Sequence, residues 1–334
     1  MLEEPCFEIV AISGTSAGAM NAGVLADGLR RGGAAEARVT LRQYWEDVGR
    51  VPGLAALRGL PSMGGTETWH FDHNPLFLWF DMLNRILSPY QTNPLNYNPL
   101  RGLLERIDFE GLRRDTDAAR VYICATNVRT GLRRVFVNAE LSPDVLLASA
   151  CLPHMFQAVE IDGELYWDGG YTGNPALAPL YMRTTATDVI VVGINPMVRD
   201  TAPRTSRDII NRIDEISFNS TFMLELAAIA LVEELLESGA IVQGRFRPMF
   251  IHAIGAGATL GSLGASSKLN NDIAFLRHLH EIGRRAAQAW IKENLEAVGR
   301  RSTVDLSGLI PTGDNFATVP VAIKQKPGEE AGQT

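Results

Sequence analysis

The chain has 334 residues, of which 46% are hydrophobic and 21% charged, a balance that excludes a disordered chain or a low-complexity fibre. Its 31 Lys and Arg against 38 Asp and Glu leave a formal charge of −7, which argues against non-specific nucleic-acid binding through basic patches. The cysteines Cys6, Cys124 and Cys151 are sparse and form no C-x-x-C, so neither a disulfide scaffold nor a cysteine metal site is expected, and a cytoplasmic setting is.

The N-terminus has neither the basic flank nor the apolar stretch of a signal peptide. An unbroken apolar run of about 18 residues, the mark of a membrane span, is absent from the sequence. The richest stretch, Leu224 to Leu236, carries Glu225, Glu233 and Glu234.

In chain order, Phe7 to Ile12 is a short β-branched run that predicts a buried strand. Small residues follow from Ser13 to Ala22, and a helix is expected from about Ala17 to Arg31, ending at Gly32-Gly33, with a second from Ala34 to Val48. From Val51 to Pro99 the composition shifts to Pro, Gly and Asn, with Trp69, Phe71, Phe77, Trp79, Phe80, Tyr90 and Tyr97 concentrated in it. This reads as an irregular cap over 51–99, with a short helix near Phe77–Leu87. The amphipathic rings make Trp69, Phe71, Phe77, Trp79 and Phe80 candidates for an acyl-binding wall or an interfacial surface, or equally for the core of the cap.

Strands are predicted at Arg120–Thr126, Arg134–Val137, Leu165–Asp168, Asp188–Ile194 and Pro248–Ile254. Ser142 followed by Pro143 marks a helix start, and Thr205 with Asp208 has capping-box spacing at the head of a long helical region towards Gly239, broken near Ser217–Ser220. Lys268 to Val298 reads as helical, and the polar tail 327–334 as disordered. Strands alternating with helices give an α/β class: a mainly parallel central sheet covered by helices on both faces, in one domain. Its parts are a core over 1–200 and a mostly helical C-terminal extension over 201–326.

The chemistry concentrates at Gly14-Thr15-Ser16-Ala17-Gly18, a G-x-S-x-G between a strand and a helix. In that setting a serine is held in strained backbone geometry, small neighbours let strand and helix pass closely, and the helix N-terminus offers N–H groups to a developing negative charge. A plain phosphate-binding turn is the competing reading. Of the histidines, His154 is the best candidate base; His252 lies in an apolar strand, as a core histidine would, and His278 and His280 lie in a helix. The alternative base is Asp168, at a strand end before Gly169-Gly170, where a simple D-G turn is the bland reading. The sequence calls for no cofactor. His278-x-His280-Glu281 is a weak metal cue because i,i+2 positions diverge on a helix.

Gly14–Gly18 together with Asp168-Gly169-Gly170 resembles the patatin-like phospholipases. The stretch between supports the resemblance in order and spacing: Ala148-Ser149, Pro153, Phe156, Ile161–Glu164 and, beyond the Asp168 turn, Asn174-Pro175. The resemblance spans about residues 7 to 195 and implies a three-layer fold in which Ser16 is the nucleophile and Asp168 its base, acting on lipid or acyl esters, with contact to a membrane or lipid surface. The family carries a Gly-rich loop, G-G-G-x-R/K-G, ahead of the nucleophile. The fifteen residues before Ser16 hold one glycine, Gly14. The expectation is therefore a longer natural chain or a weakened hydrolase that binds lipid or granule surfaces. The Ala17 N–H, Gly64-Gly65 and the 255–264 stretch remain as candidate oxyanion donors.

Overall fold

A computed structural model describes residues 1–52, 69, 79, 86–194, 202–242, 244, 246–255, 260, 263, 267 and 270–306. Phe71, Phe77, Phe80, Gly64-Gly65, most of the expected cap with its short helix, and the tail 327–334 lie outside the described residues. The chain divides into two compact units. The first comprises Met1–Leu177, Pro203–Phe222 and Ser262–Glu281, and the second Ala178–Ala202, Met223–Gly261 and Ile282–Thr334.

The first unit is built on a five-stranded sheet. Strand β1 (Ala11–Gly14) leads into the helical element α1 (Ala17–Val48). Short helices α2 (Pro89–Thr92), α3 (Arg101–Leu104) and α4 (Phe109–Arg114) precede β2 (Arg120–Asn127) and β3 (Arg133–Val137). Helix α5 (Pro143–Ser149), β4 (Val159–Ile161) and β5 (Glu164–Asp168) complete it. The order is β1-β2-β5-β4, with β3 also on β2. The β1–β2 pair is parallel, and the β2–β3, β2–β5 and β4–β5 pairs are antiparallel. The sheet is thus mixed: parallel where α1 provides the crossover, antiparallel where short connections join neighbours.

Strand β2 is the centre of the core. Residues Val121 to Thr126 are buried one after another, as expected of a strand covered on both faces. Helices lie on both sides of the sheet. β1 starts at Ala11 rather than Phe7, because its ladder can begin only where β2 begins, at Arg120.

The element α1 is interrupted where the sequence places a stop. Gly33 has φ 66° and ψ −156°, a region open only to glycine, and Gly32 is also non-helical. The two arms fold back on each other: a Cβ on Gly28 would sit 2.5 Å from the Ala37 Cα, and Trp45 Nε1 donates to Asn21 Oδ1 at 2.9 Å.

The second unit contains a parallel pair, β6 (Asp188–Gly193) and β7 (Phe250–Gly255), together with helix α6 (Ala178–Arg183). Two long helices contribute residues to both units, α7 (Ser206–Glu237) and α8 (Ile273–Asn294). At the head of α7, Thr205 and Asp208 exchange side-chain-to-backbone hydrogen bonds of 3.1 and 3.3 Å, the capping box read from the sequence. The expected break near Ser217–Ser220 does not occur. Ser220 Oγ instead donates to the Ser217 carbonyl at 2.9 Å, so the hydroxyl is satisfied within the helix.

Over Asp208–Glu237 this helix is long and apolar enough to cross a membrane by length and composition alone, with a mean hydropathy of 1.4 in its most apolar 18-residue window. Acidic residues such as Glu225, Glu233 and Glu234 interrupt its apolar run, so the sequence holds no unbroken apolar stretch there. In the second unit, His252 is fully buried between Asp188 (2.9 Å) and Thr303 (3.2 Å), with Trp290 edge-on at 5.5 Å. That is the satisfied core histidine expected.

Candidate active site

Two turns meet across β2. Gly14, the last residue of β1, is level with Ile123, while Asp168, the last residue of β5, is level with Ala125. β1 runs parallel to β2 and β5 antiparallel to it, so the two chains approach the same level from opposite directions. Asp168 stands at the strand end expected, but on an antiparallel strand, so convergence comes from opposed strands.

Glycine is required where the turns touch. A Cβ on Gly169 would lie 2.1 Å from the Cys124 carbonyl oxygen and 3.0 Å from the Thr15 methyl. A Cβ on Gly14 would lie 2.3 Å from the Gly18 carbonyl oxygen, the close strand–helix approach that an elbow needs. Gly18 behaves differently, since a Cβ there meets nothing within 4 Å. Its backbone is what Gly14 must clear. On the far side, a Cβ on Gly170 would press 2.9 Å from the Phe218 ring of α7.

Ser16 sits at the apex with φ 56° and ψ −124°, a conformation that costs a non-glycine residue about 1–3 kcal/mol. Its surroundings hold it there. The Ser16 N–H donates to Ser149 Oγ at 3.0 Å, and Ser149 is fully buried at the end of α5. Thr15 Oγ1 donates to the Gly173 carbonyl at 2.8 Å, and Ser13 Oγ to the Ala176 carbonyl at 2.6 Å, tying the elbow to the segment after Asp168. In the first turn of α1, the N–H groups of Gly18, Ala19 and Met20 bond to the Thr15 and Ser16 carbonyls. Among the described residues the Ala17 N–H has no such acceptor, leaving it available to an incoming oxygen.

Asp168 is completely buried. Its Oδ1 accepts from the Gly170 N–H at 2.8 Å, while Oδ2 makes no hydrogen bond of normal geometry. Burial pushes its carboxyl up to about 6, against the opposing pull of the Gly170 N–H and the Ser16 hydroxyl, and the negative charge of Asp214 adds to the rise. The Ser16 hydroxyl is thus close enough to act on a carboxylate whose second oxygen is unfilled. A carboxyl near 6 is ionised at neutral pH yet a far better proton acceptor than a free aspartate at about 3.9.

Neighbouring groups are less suited to chemistry. Cys151 donates to the Gln157 carbonyl at 3.1 Å, and burial beside Asp168 pushes its thiol up to about 12, so it stays protonated. His154 is exposed and is not among the groups that act on Asp168. Trp69 stacks on Phe275 (5.3 Å) and His278 (5.7 Å), and its carbonyl accepts from Asn270. Trp79 is exposed. Of the donors considered for an oxyanion, Gly255 ends β7 in the second unit. Among the described residues no group of three or more His, Cys, Asp or Glu is placed to hold a metal ion. Asp214 and Tyr171 carry no local sequence signal, Asp214 lying on a helix 46 residues beyond Asp168, and Ser149 stands out only within the longer block that resembles the family.

Compared with family models, residues 1–181 match the patatin-like phospholipase family. The chain belongs to that family. The match covers more than half of the 334 residues and spans both turns of the site. A patatin-like phospholipase has a three-layer α/β fold, and membership places this chain in a family of lipid hydrolases. No curated protein matches the chain.

Proposed function

We propose that the chain is a serine acyl hydrolase that cleaves carboxylic esters of lipids through Ser16 and Asp168. The observation that carries this reading is the strained Ser16 facing a buried carboxylate with an unfilled oxygen. In the first half-reaction Asp168 takes the Ser16 Oγ proton as the oxygen attacks the ester carbonyl. The negative charge that develops on the carbonyl oxygen is met by the Ala17 N–H and the positive end of α1. Collapse expels the alcohol, which takes the proton back from Asp168, and leaves an acyl group on Ser16. In the second half-reaction water gives a proton to Asp168 as it attacks the acyl carbonyl, and collapse releases the acid while Asp168 returns the proton to Ser16 Oγ.

The reading covers phospholipase A, lysophospholipase and simple esterase activity, and it needs no cofactor. Peripheral contact with a lipid surface belongs to it, supported by Ile209, Ile213 and Ile216, exposed along one face of α7. A reducing, cytoplasmic setting is supported by Cys6, Cys124 and Cys151 forming no disulfide among the described residues.

The test is hydrolysis of p-nitrophenyl butyrate. Ser16→Ala and Asp168→Asn should each lower kcat by about 1000-fold or more, as removal of a nucleophile or its base does elsewhere. In the unaltered protein the rate should climb with pH through about 6, as Asp168 ionises. Full activity in Ser16→Ala, or in Asp168→Asn, would sink the assignment.

A further inference from the structure

Both reactive residues are gripped from one place, the last turn of α5 and the residues that leave it. The Ser16 N–H donates to Ser149 Oγ at 3.0 Å, across 133 residues of chain. Two residues further on, the Cys151 carbonyl accepts the Asp168 N–H at 2.8 Å. The turn is closed by the Ala150 N–H on the Leu147 carbonyl and the Cys151 N–H on the Ala148 carbonyl, both at 3.2 Å. Leu147, Ala148, Ser149 and Cys151 are all buried. Helix α5 packs against α1, β2 and β5, the elements that carry or align the two turns of the site.

The two grips differ in kind. Asp168 is held by backbone on one side and, on the other, by Thr126 Oγ1, which donates to its carbonyl at 2.8 Å. The Ser16 N–H is held by a side-chain hydroxyl alone. That N–H belongs to a residue at φ 56°, a state that persists only where the surroundings enforce it. Without the hydroxyl, the N–H would lose its acceptor in a buried setting, and the strain at Ser16 would lose a restraint. Both changes push the elbow to relax, and the Ser16 Oγ moves with it.

We propose that Ser149 is a positioning residue for acyl transfer: its hydroxyl fixes the Ser16 peptide, and with it the Ser16 Oγ, against Asp168, which the same turn of α5 holds through the Cys151 carbonyl. The inference rests on the hydrolase reading of Ser16 and Asp168. Ser149 carries no charge, so it acts by setting where the nucleophile stands. Its removal should therefore be felt in the chemical step and not in the binding of substrate.

The experiment uses the full chain, with p-nitrophenyl butyrate as substrate and active sites counted by fluorophosphonate titration. In Ser149→Ala, kcat per titrated site should fall by about 10- to 100-fold with KM changed by less than about two-fold, as a displacement of order 1 Å at a reacting atom produces. The rate of fluorophosphonate labelling should slow alongside kcat. A purely structural role predicts a different pattern: fewer titratable sites and a lower melting temperature, with kcat per remaining site unchanged. That result overturns the inference.

If Ser149→Ala fails to fold, Ser149→Cys decides. Its sulfur fills the same place but is a weak acceptor, so kcat per titrated site should fall several-fold, and an unchanged value overturns the proposal. Ser16→Ala and Asp168→Asn run alongside: activity surviving in either one sinks the hydrolase reading. Loss in both, with kcat per site intact in Ser149→Ala, sinks only the role of Ser149.

Discussion

At the scale of single residues, the site is built from two unfavourable states. Ser16 occupies a backbone region that most side chains avoid, and Asp168 is buried with one oxygen unfilled. The second of these has a measurable cost. The carboxyl is raised from 3.8 to about 6 in the fold, chiefly by burial. A group raised in this way favours the folded state less once it ionises, so stability is lost as pH climbs from about 4 to about 6 and stays lost above. The difference corresponds to about 3 kcal/mol. Asp168→Asn, while inactive, should therefore melt at a higher temperature than the unaltered protein at pH 8, with the gap closing near pH 4. Scanning calorimetry at the two pH values checks this, and equal melting temperatures at pH 8 would show that the buried charge carries no such strain.

At the scale of elements, the strand-to-helix elbow distinguishes glycines that look equivalent in the motif. A Cβ on Gly14 would lie 2.3 Å from the backbone of α1, whereas one on Gly18 would meet open space. Gly14→Ala should cost about 1–3 kcal/mol or more, because neither backbone can yield without breaking the elbow. Gly18→Ala should be neutral or stabilising by up to about 1 kcal/mol, through better helix propensity. Urea unfolding of the two variants reads the contrast directly, and similar losses in both would refute it.

The same elements show what can be read without coordinates. The elbow, the Gly32-Gly33 break, the Ser142–Pro143 start and the Thr205–Asp208 box follow from local backbone chemistry, so four to six adjacent residues suffice to reveal them. The meeting of Ser16 with Asp168 could be read only through family resemblance, since their pairing depends on strand order. The opposed direction of β5, and the arrival of Asp214 from a distant helix, follow from tertiary packing and leave no local trace. The uninterrupted path of α7 through Ser217–Ser220 was obscured for a similar reason, because a serine's effect on a helix depends on where its hydroxyl finds an acceptor.

At the scale of the whole molecule, charge and exposed apolar surface point the same way. The formal charge of −7 disfavours approach to anionic membranes, whereas Ile209, Ile213 and Ile216 present a row of exposed branched side chains on the face of α7 opposite Asp214 and Phe218. Binding to lipid should then be driven by apolar contact. Co-sedimentation should be stronger with phosphatidylcholine vesicles than with vesicles rich in phosphatidylserine. Ile213→Ser combined with Ile216→Ser should reduce it several-fold while leaving hydrolysis of a soluble ester unchanged, as expected when exposed apolar anchors are removed from an interfacial helix. Undiminished sedimentation of the double variant would place the contact elsewhere.

One central strand acts as the gauge against which the two halves of the chemistry are set. Ser16 and Asp168 are separated by more than 150 residues of chain, and β2 alone brings their turns level. A slip of β5 by one residue along β2 would carry the carboxylate about 3.3 Å from its place and turn it to the opposite face. Competence for acyl transfer is accordingly a property of long-range strand alignment. The fluorophosphonate reaction of Ser16 doubles as a clock for that alignment, since a refolding chain can regain it only when the register around β2 is complete.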